Sequence, residues 1–445
     1  MYCYFIFNLG NNKSECGTML FFDVFMPSLD VYSDLSLVVP WYLDGHPSYA
    51  LMMSLPPLLN FLFSTYKWWC TEKRSEKKWS WILLLLQFYQ QWKALKVIRL
   101  LWKGDKRAND AKKEMLKEAS SLEPFLEATP ATIIMTMIWL LAFADAKRLN
   151  PTGLPECTDA EYLSPQFKNF CAVFGGFGGT YWFFTSYAIS VITSALGITK
   201  FLQNGPFAIL SNNGTLNGLL TWRFILAYYS VMLSLITKAI FAAVLMGLAS
   251  GGHDGPSTHR YDRSTKIWIY ALMFIMMNIF PHILMSIINI ASSTGCSKKM
   301  MDIIFNYPAL LILPAFTHFA VGPETLSCCG KWGDNYQRHR LVISTKCTII
   351  NMALTLLFYG LVMVISCFVV GDVSATPGMG ACELFFGYVM PPILISSVAL
   401  TLIFLSLEKQ CCCSGSQRCF CSCCCGPQCY EFRKEYINTV TKNEV

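Results

Sequence analysis

Charge is what this sequence has least of. Asp, Glu, Lys and Arg together make up 14% of its 445 residues, against roughly a quarter in a soluble domain. The chain therefore lacks the polar surface to cover a water-facing body of its own size. Histidine is scarce too: His46, His253, His259, His282, His318 and His339 show no H-E-x-x-H and no metal-ligand spacing. No Walker motif occurs, which argues against ATP-driven transport. The glycines of VFGGFGGTYW open an apolar helix rather than joining a strand to a helix, so they read as close helix packing and not as a phosphate loop. The N-terminus, MYCYFIFNLGNNKSECG, has neither the basic start nor the cleavage site of a signal peptide. No enzyme constellation emerges, and no cofactor or metal is expected.

What is present in abundance is apolar: 54% of the chain, without repeats, which excludes collagen, disorder and a secreted disulfide scaffold. A helix crossing a bilayer needs about 20 largely apolar residues. Eight stretches qualify: Gly17–Val39, Ser48–Trp68, Pro124–Ala146, Val173–Ile198, Leu216–Ala249, Ile267–Ala291, Val342–Val370 and Cys382–Leu407. Two more fit half-membrane helices. Trp81–Trp102 carries Lys93, Lys96 and Arg99, which with Lys103 form one stripe, and Ile303–Val321 is interrupted by Pro308 and Pro314. The reading is an all-α polytopic membrane protein with a short cytosolic N-terminus (1–16), a transmembrane domain (17–407) and a cytosolic Cys-rich tail (408–445).

Charge orients it. With both termini inside, 27 of the 35 Lys and Arg fall on the inner side and six on the outer, as the positive-inside rule requires. The net charge of +7 thus records topology and gives no reason to expect nucleic acid. The sequons at Asn12 and Asn213 fall inside and read as unused.

Ionisable residues within spans cost several kcal/mol unless paired or wetted. Asp23, Asp30 and Asp34 lie in the first span, with Asp30 and Asp34 four apart and so on one helical face. Glu123 and Glu127 repeat that spacing at the start of the third span, before a kink expected at Pro130. Arg223 and Lys238 lie in the fifth. Two acidic pairs on separate helices, with two cations available, suggest a polar track through the bundle. The plainer readings are that Asp23, Asp34 and Glu123 are interfacial or dipole-stabilised, or that acid–base pairs serve only as structural glue.

Nine of the 20 cysteines, Cys411, Cys412, Cys413, Cys419, Cys421, Cys423, Cys424, Cys425 and Cys429, follow the last span. Their spacing is irregular and no histidine accompanies them, so S-palmitoylation of a juxtamembrane tail is expected over zinc binding. On the outer side Cys157 and Cys382 are the expected disulfide partners, with Cys171 as the alternative.

At SLEPFLEATPATI the chain resembles the XK-related family of phospholipid scramblases, with Glu123, Phe125, Leu126, Glu127 and Pro130 in register. The Asp30-x-x-x-Asp34 start, the LLLLQFYQQWKALKVIRL segment and TWRFILAYYSVMLSLI resemble further family regions in the same order. The resemblance spans roughly residues 20–407. The family's glutamine after the proline is Ala131 here, a second arginine of the fifth span is replaced near Ser230, and no D-x-x-D caspase site occurs. The resemblance implies passive movement of phospholipids, phosphatidylserine included, across the plasma membrane, as in apoptotic clearance. Asp30, Asp34, Glu123, Glu127 and Arg223 would be its hydrophilic steps. It also implies partners such as a single-span membrane chaperone or a lipid-transfer protein. The alternatives are a non-transporting scaffold and a secondary transporter or channel.

Overall fold

The computed structural model describes residues 16–43, 47–71, 77–105, 107–108, 111, 124–136, 138, 179–204, 222–251, 279–294, 309–325, 339–371 and 390–413. Helix dominates them. The chain enters as a helix from residue 16, passes through a π-helical stretch, Leu20–Phe25, and continues as α1, Met26–Leu43. Then come α2 (Pro47–Thr71), α3 (Lys77–Leu85) and α4 (Tyr89–Trp102). A second π-helical turn, Pro124–Ala128, leads into α5, residues 129–136. The remaining helices are α6 (Gly179–Asn204), α7 (Trp222–Gly251), α8 (Phe280–Thr294), α9 (Ala309–Phe316), α10 (Thr345–Gly371) and α11 (Met390–Cys413). Two of these, over Trp182–Leu202 in α6 and Phe224–Ala242 in α7, are long and apolar enough to cross a membrane.

The expected half-helix Trp81–Trp102 is not one piece. It breaks at Gln87, whose φ of 53° lies in the left-handed region. The N–H of Phe88 bonds the carbonyl of Leu83 and that of Gln87 bonds Leu84, the paired closure of a Schellman motif. The same closure ends α4, where Gly104 at φ 66° lets Asp105 bond Leu100 while Gly104 bonds Leu101. The hydroxyl of Tyr32 on α1 caps the break, donating to Leu86 O at 3.0 Å.

The second expected half-helix, Ile303–Val321, is described as the eight-residue α9 followed by a strand. A short ribbon is added here to the otherwise helical fold. Strands β1 (Val321–Thr325) and β2 (His339–Ile343) pair antiparallel, with Val321 opposite Ile343 and Thr325 opposite His339. Pro314 sits inside α9, and once the helix ends the two-stranded ribbon supplies the hydrogen bonds that a helix would otherwise close. Gly322 lies close against Cys347 and Ser344, and a Cβ there would meet Sγ of Cys347.

The main core runs through α1, α2, the second π turn with α5, α6, α7, α9 and α11. Trp41, Met53, Phe125, Met135, Phe183, Phe241, Phe319 and Phe404 are large side chains fully buried in it. A smaller cluster joins the first π stretch to the apolar face of α4, through Met19, Val24, Ala94, Val97 and Leu101. On the other side of α4 the Lys93 and Lys96 ammonium groups lie over the rings of Tyr89 and Trp92. Large apolar residues also face outward, among them Leu58, Leu62, Leu284, Ile288, Leu357 and Ile395.

The π turn that carries Glu127 is seated by a close approach. Pro124 packs onto Gly197 of α6, where any Cβ would enter the proline ring, and Phe125 meets Phe201 edge-on at 6.0 Å. The variant Gly197→Ala is expected to cost about 1–3 kcal/mol by overpacking, read as a lower thermal midpoint in detergent. An unchanged midpoint would show that the Pro124 contact does not constrain the turn.

Candidate functional site

Helices α1 and α6 run antiparallel, because residue 23 meets residue 200 while residue 36 meets residue 182. Along this seam α6 presents serine every four residues, at 186, 190 and 194, which stacks the hydroxyls on one face. They meet the acids of α1, also spaced four apart. Ser190 Oγ bridges Asp30 Oδ1 at 2.6 Å and Asp34 Oδ1 at 3.2 Å. Ser186 Oγ donates to Asp34 Oδ1 at 2.9 Å, with Ser33 Oγ 3.1 Å away. One turn farther on, Trp182 Nε1 donates to Ser36 Oγ at 2.7 Å.

Both acids are enclosed: Asp30 is 2% exposed and Asp34 0%. Asp34 therefore faces the interior of the helix pair and not solvent. No Lys, Arg or His reaches either carboxylate among the described residues. Two carboxylates this close repel when charged, and the serine hydroxyls offset part of that cost with hydrogen bonds. Asp34 Oδ2 is left buried without a partner among the described residues.

The lower end of the seam closes differently. Lys200 Nζ pairs with Asp23 Oδ1 at 2.6 Å, with 12% and 21% of the two side chains exposed, and the ammonium also lies over the Phe22 ring. Asp23, Asp30, Asp34 and the serines thus form a ladder along one helix pair.

Glu127 sits on the π turn beside α6 and is 2% exposed. It accepts a hydrogen bond from the amide of Asn60 on α2. The turn's continuation reaches α6 again, with Thr132 and Ser194 hydroxyls 3.4 Å apart and those of Thr136 and Tyr187 3.0 Å apart. The two acidic elements therefore flank the same helix.

Lys238 does not join them. It lies in a second buried polar cluster, where its Nζ donates to the Pro314 carbonyl of α9 at 2.7 Å. Arg223 stands in the first turn of α7. Glu123, Cys157, Cys382, Cys419, Cys421, Cys423, Cys424, Cys425 and Cys429 lie outside the described residues, and the backbone of Cys411, Cys412 and Cys413 forms the last turn of α11.

Sequence reasoning named the acids and missed their partners. Ser186, Ser190, Asn60 and Lys200 are the side chains that meet them. The i, i+4 serine repeat was the available signal, since it matches the Asp30–Asp34 spacing. Lys200 has no such signal, being one of the 27 inner-side Lys and Arg.

Two stability predictions follow from this geometry. Ser190→Ala removes the donor shared by Asp30 and Asp34 and is expected to cost about 1–3 kcal/mol, measured by thermal or denaturant unfolding in detergent. Asp23→Lys and Lys200→Asp should each destabilise, while the double exchange restores most of the loss. The coupling energy is expected at about 1 kcal/mol for a partly exposed pair, and strictly additive effects would show that the contact contributes nothing.

Comparison of the chain with family models, curated proteins and solved structures returned no match.

Proposed function

We propose that the chain is a phospholipid scramblase, a multi-pass protein of the plasma membrane with both termini cytosolic. It would have eight spans and two half-membrane helices, and would pass lipids, phosphatidylserine included, between leaflets without ATP. The observation that carries this reading is the ladder of acids and hydroxyls running along α1 and α6 inside the bundle. The exchange of surfaces supports it: carboxylates, serines and threonines point inward while Leu58, Leu284, Leu357 and Ile395 point outward, the reverse of a soluble protein.

Lipid flip-flop is slow because a charged headgroup must cross hydrocarbon. A polar seam lowers that barrier if the headgroup moves along it while the acyl tails remain in lipid. The arrangement described is closed, since Ser186, Ser190 and Asp34 are all 0% exposed. Transport on this reading requires α1 and α6 to separate, with headgroup ammonium and water replacing the serine hydroxyls at Asp30 and Asp34. The unpartnered Asp34 Oδ2 is the first acceptor that such a group would meet. Glu127, held by Asn60, borders the same helix, and Glu123 and Arg223 extend the set. Acylation of the Cys411–Cys429 tail would hold it to the inner leaflet. The partner expected is a single-span membrane chaperone or a lipid-transfer protein.

The decisive assay is dithionite quenching of fluorescent lipids in liposomes containing the purified chain, with and without residues 408–445. Bleaching beyond the outer-leaflet half is expected in at least one form, and its absence in both would refute the reading. Glu127→Leu is expected to reduce phosphatidylserine exposure at least several-fold at equal surface abundance. Unimpaired exposure by that variant would remove Glu127 from the path.

A further inference from the structure

The seam of α1 and α6 is one hydrogen short. Ser33 Oγ donates to the Asp30 backbone carbonyl at 2.9 Å, so it can only accept at its 3.1 Å contact with Ser186. Ser186 has a single hydrogen for Ser33 Oγ and Asp34 Oδ1 together. Ser190 also has a single hydrogen, and lies 2.6 Å from Asp30 Oδ1 but 3.2 Å from Asp34 Oδ1. The shorter distance is that of a hydroxyl donating to an ionised oxygen, which places the Ser190 hydrogen on the Asp30 side. Lone pairs of Ser190 and Asp34 would then face each other across the longer contact. A hydrogen on Asp34 Oδ1 removes that conflict: the carboxyl O–H donates to Ser190 Oγ, and Ser190 donates in turn to the Asp30 carboxylate.

Burial points the same way. Asp30 and Asp34 are enclosed, and no cation pairs with either among the described residues. Asp34 Oδ2 is buried and has no partner among the described residues. In an ionised carboxylate that oxygen would share the negative charge with no donor to offset it. In a carboxylic acid protonated on Oδ1 it is a carbonyl oxygen, and its burial costs less. The titratable groups on the elements packed against α1 do not relieve the pair. Asp23 and Lys200 bind each other at the lower end of the seam. Glu127 of the π turn is a third acid, held by Asn60 of α2. The hydroxyl of Tyr187 on α6 lies 3.0 Å from Thr136 Oγ1, and Tyr49 of α2 packs edge-on against Trp41.

Two carboxylates joined by one hydroxyl in a dry interface repel too strongly for both to stay ionised without a cation. We propose that the closed seam holds a single proton, carried by Asp34 and linked through Ser190 to the Asp30 carboxylate, and that parting α1 from α6 releases it. On parting, the Asp34 O–H bond gives its proton to entering water, and both acids are left ionised. The closed form thus binds one more proton than the open one, so acid favours closure and higher pH favours opening. This device rests on the lipid path proposed above, whose opening it regulates. Two negative charges then line the path that a headgroup ammonium enters.

The test compares the full-length wild type with Asp34→Asn in detergent. The carboxamide is neutral and donates to Ser190 as the protonated acid does, so the variant is expected to fold. The wild-type infrared spectrum is expected to show the carbonyl stretch of a protonated carboxylic acid, shifted in heavy water and lost in Asp34→Asn. As pH is raised from about 6 to about 9, the wild-type thermal midpoint should fall relative to the variant's by roughly 1–3 °C per unit, the mark of one proton lost on unfolding. An infrared spectrum unchanged by the substitution, midpoints that run parallel across that range, or a variant that does not fold would each overturn the proposal. Neither readout requires lipid to move. Silent liposomes beside a band lost in Asp34→Asn would refute the scramblase reading and leave the shared proton in place.

Discussion

A carboxylate taken out of water must find donors, and in this bundle that requirement fixes how α1 and α6 meet. Apolar contacts alone would tolerate sliding or rotation of the pair, because Leu, Ile and Phe repack at modest cost. The hydrogen bonds of Ser186 and Ser190 to Asp30 and Asp34 tolerate neither. A one-residue rotation of either helix would swing the hydroxyls off the acids and leave buried charge without a donor, a loss of several kcal/mol. The Asp23–Lys200 pair at one end and Trp182–Ser36 at the other then fix the sliding coordinate. Polar contacts set the register and apolar ones fill the space.

The same rule shapes the other half of the molecule with opposite charge. A helix that stops inside the fold exposes carbonyls where no water reaches, and α9 does so at Phe316. Lys238 and Asn351 arrive from two different helices to meet them. The break in α9 is thus stabilised by long-range contacts, whereas the break between α3 and α4 is closed by its own backbone. One depends on tertiary packing and the other on a local turn.

This difference explains much of what could be read in the chain beforehand. The i, i+4 spacing of Asp30 and Asp34 needs only helix geometry, so their common face was legible, as were most helix cores. The assignment of Lys238 to the acids was not, because its partner is a backbone carbonyl, which has no residue signature. The break at Gln87 hid in LLLLQFYQQW because nothing in that run is glycine or proline, the residues that usually mark a left-handed turn. The ribbon of β1 and β2 went unseen because its strands are five residues each and lack alternation. Glu127 was found through its neighbours in sequence, while Asn60 on another helix gave no local signal at all.

The hydroxyl of Tyr32 has a mechanical meaning beyond capping a helix end. It leaves α1 between the two carboxylates in sequence and grips the α3–α4 junction, while the far end of α4 is cemented to the first π stretch. Helix α4, with its lysine stripe, is therefore bolted at both ends to the helix that bears the acids. A tilt of α1 that left α4 behind would have to break both of these contacts.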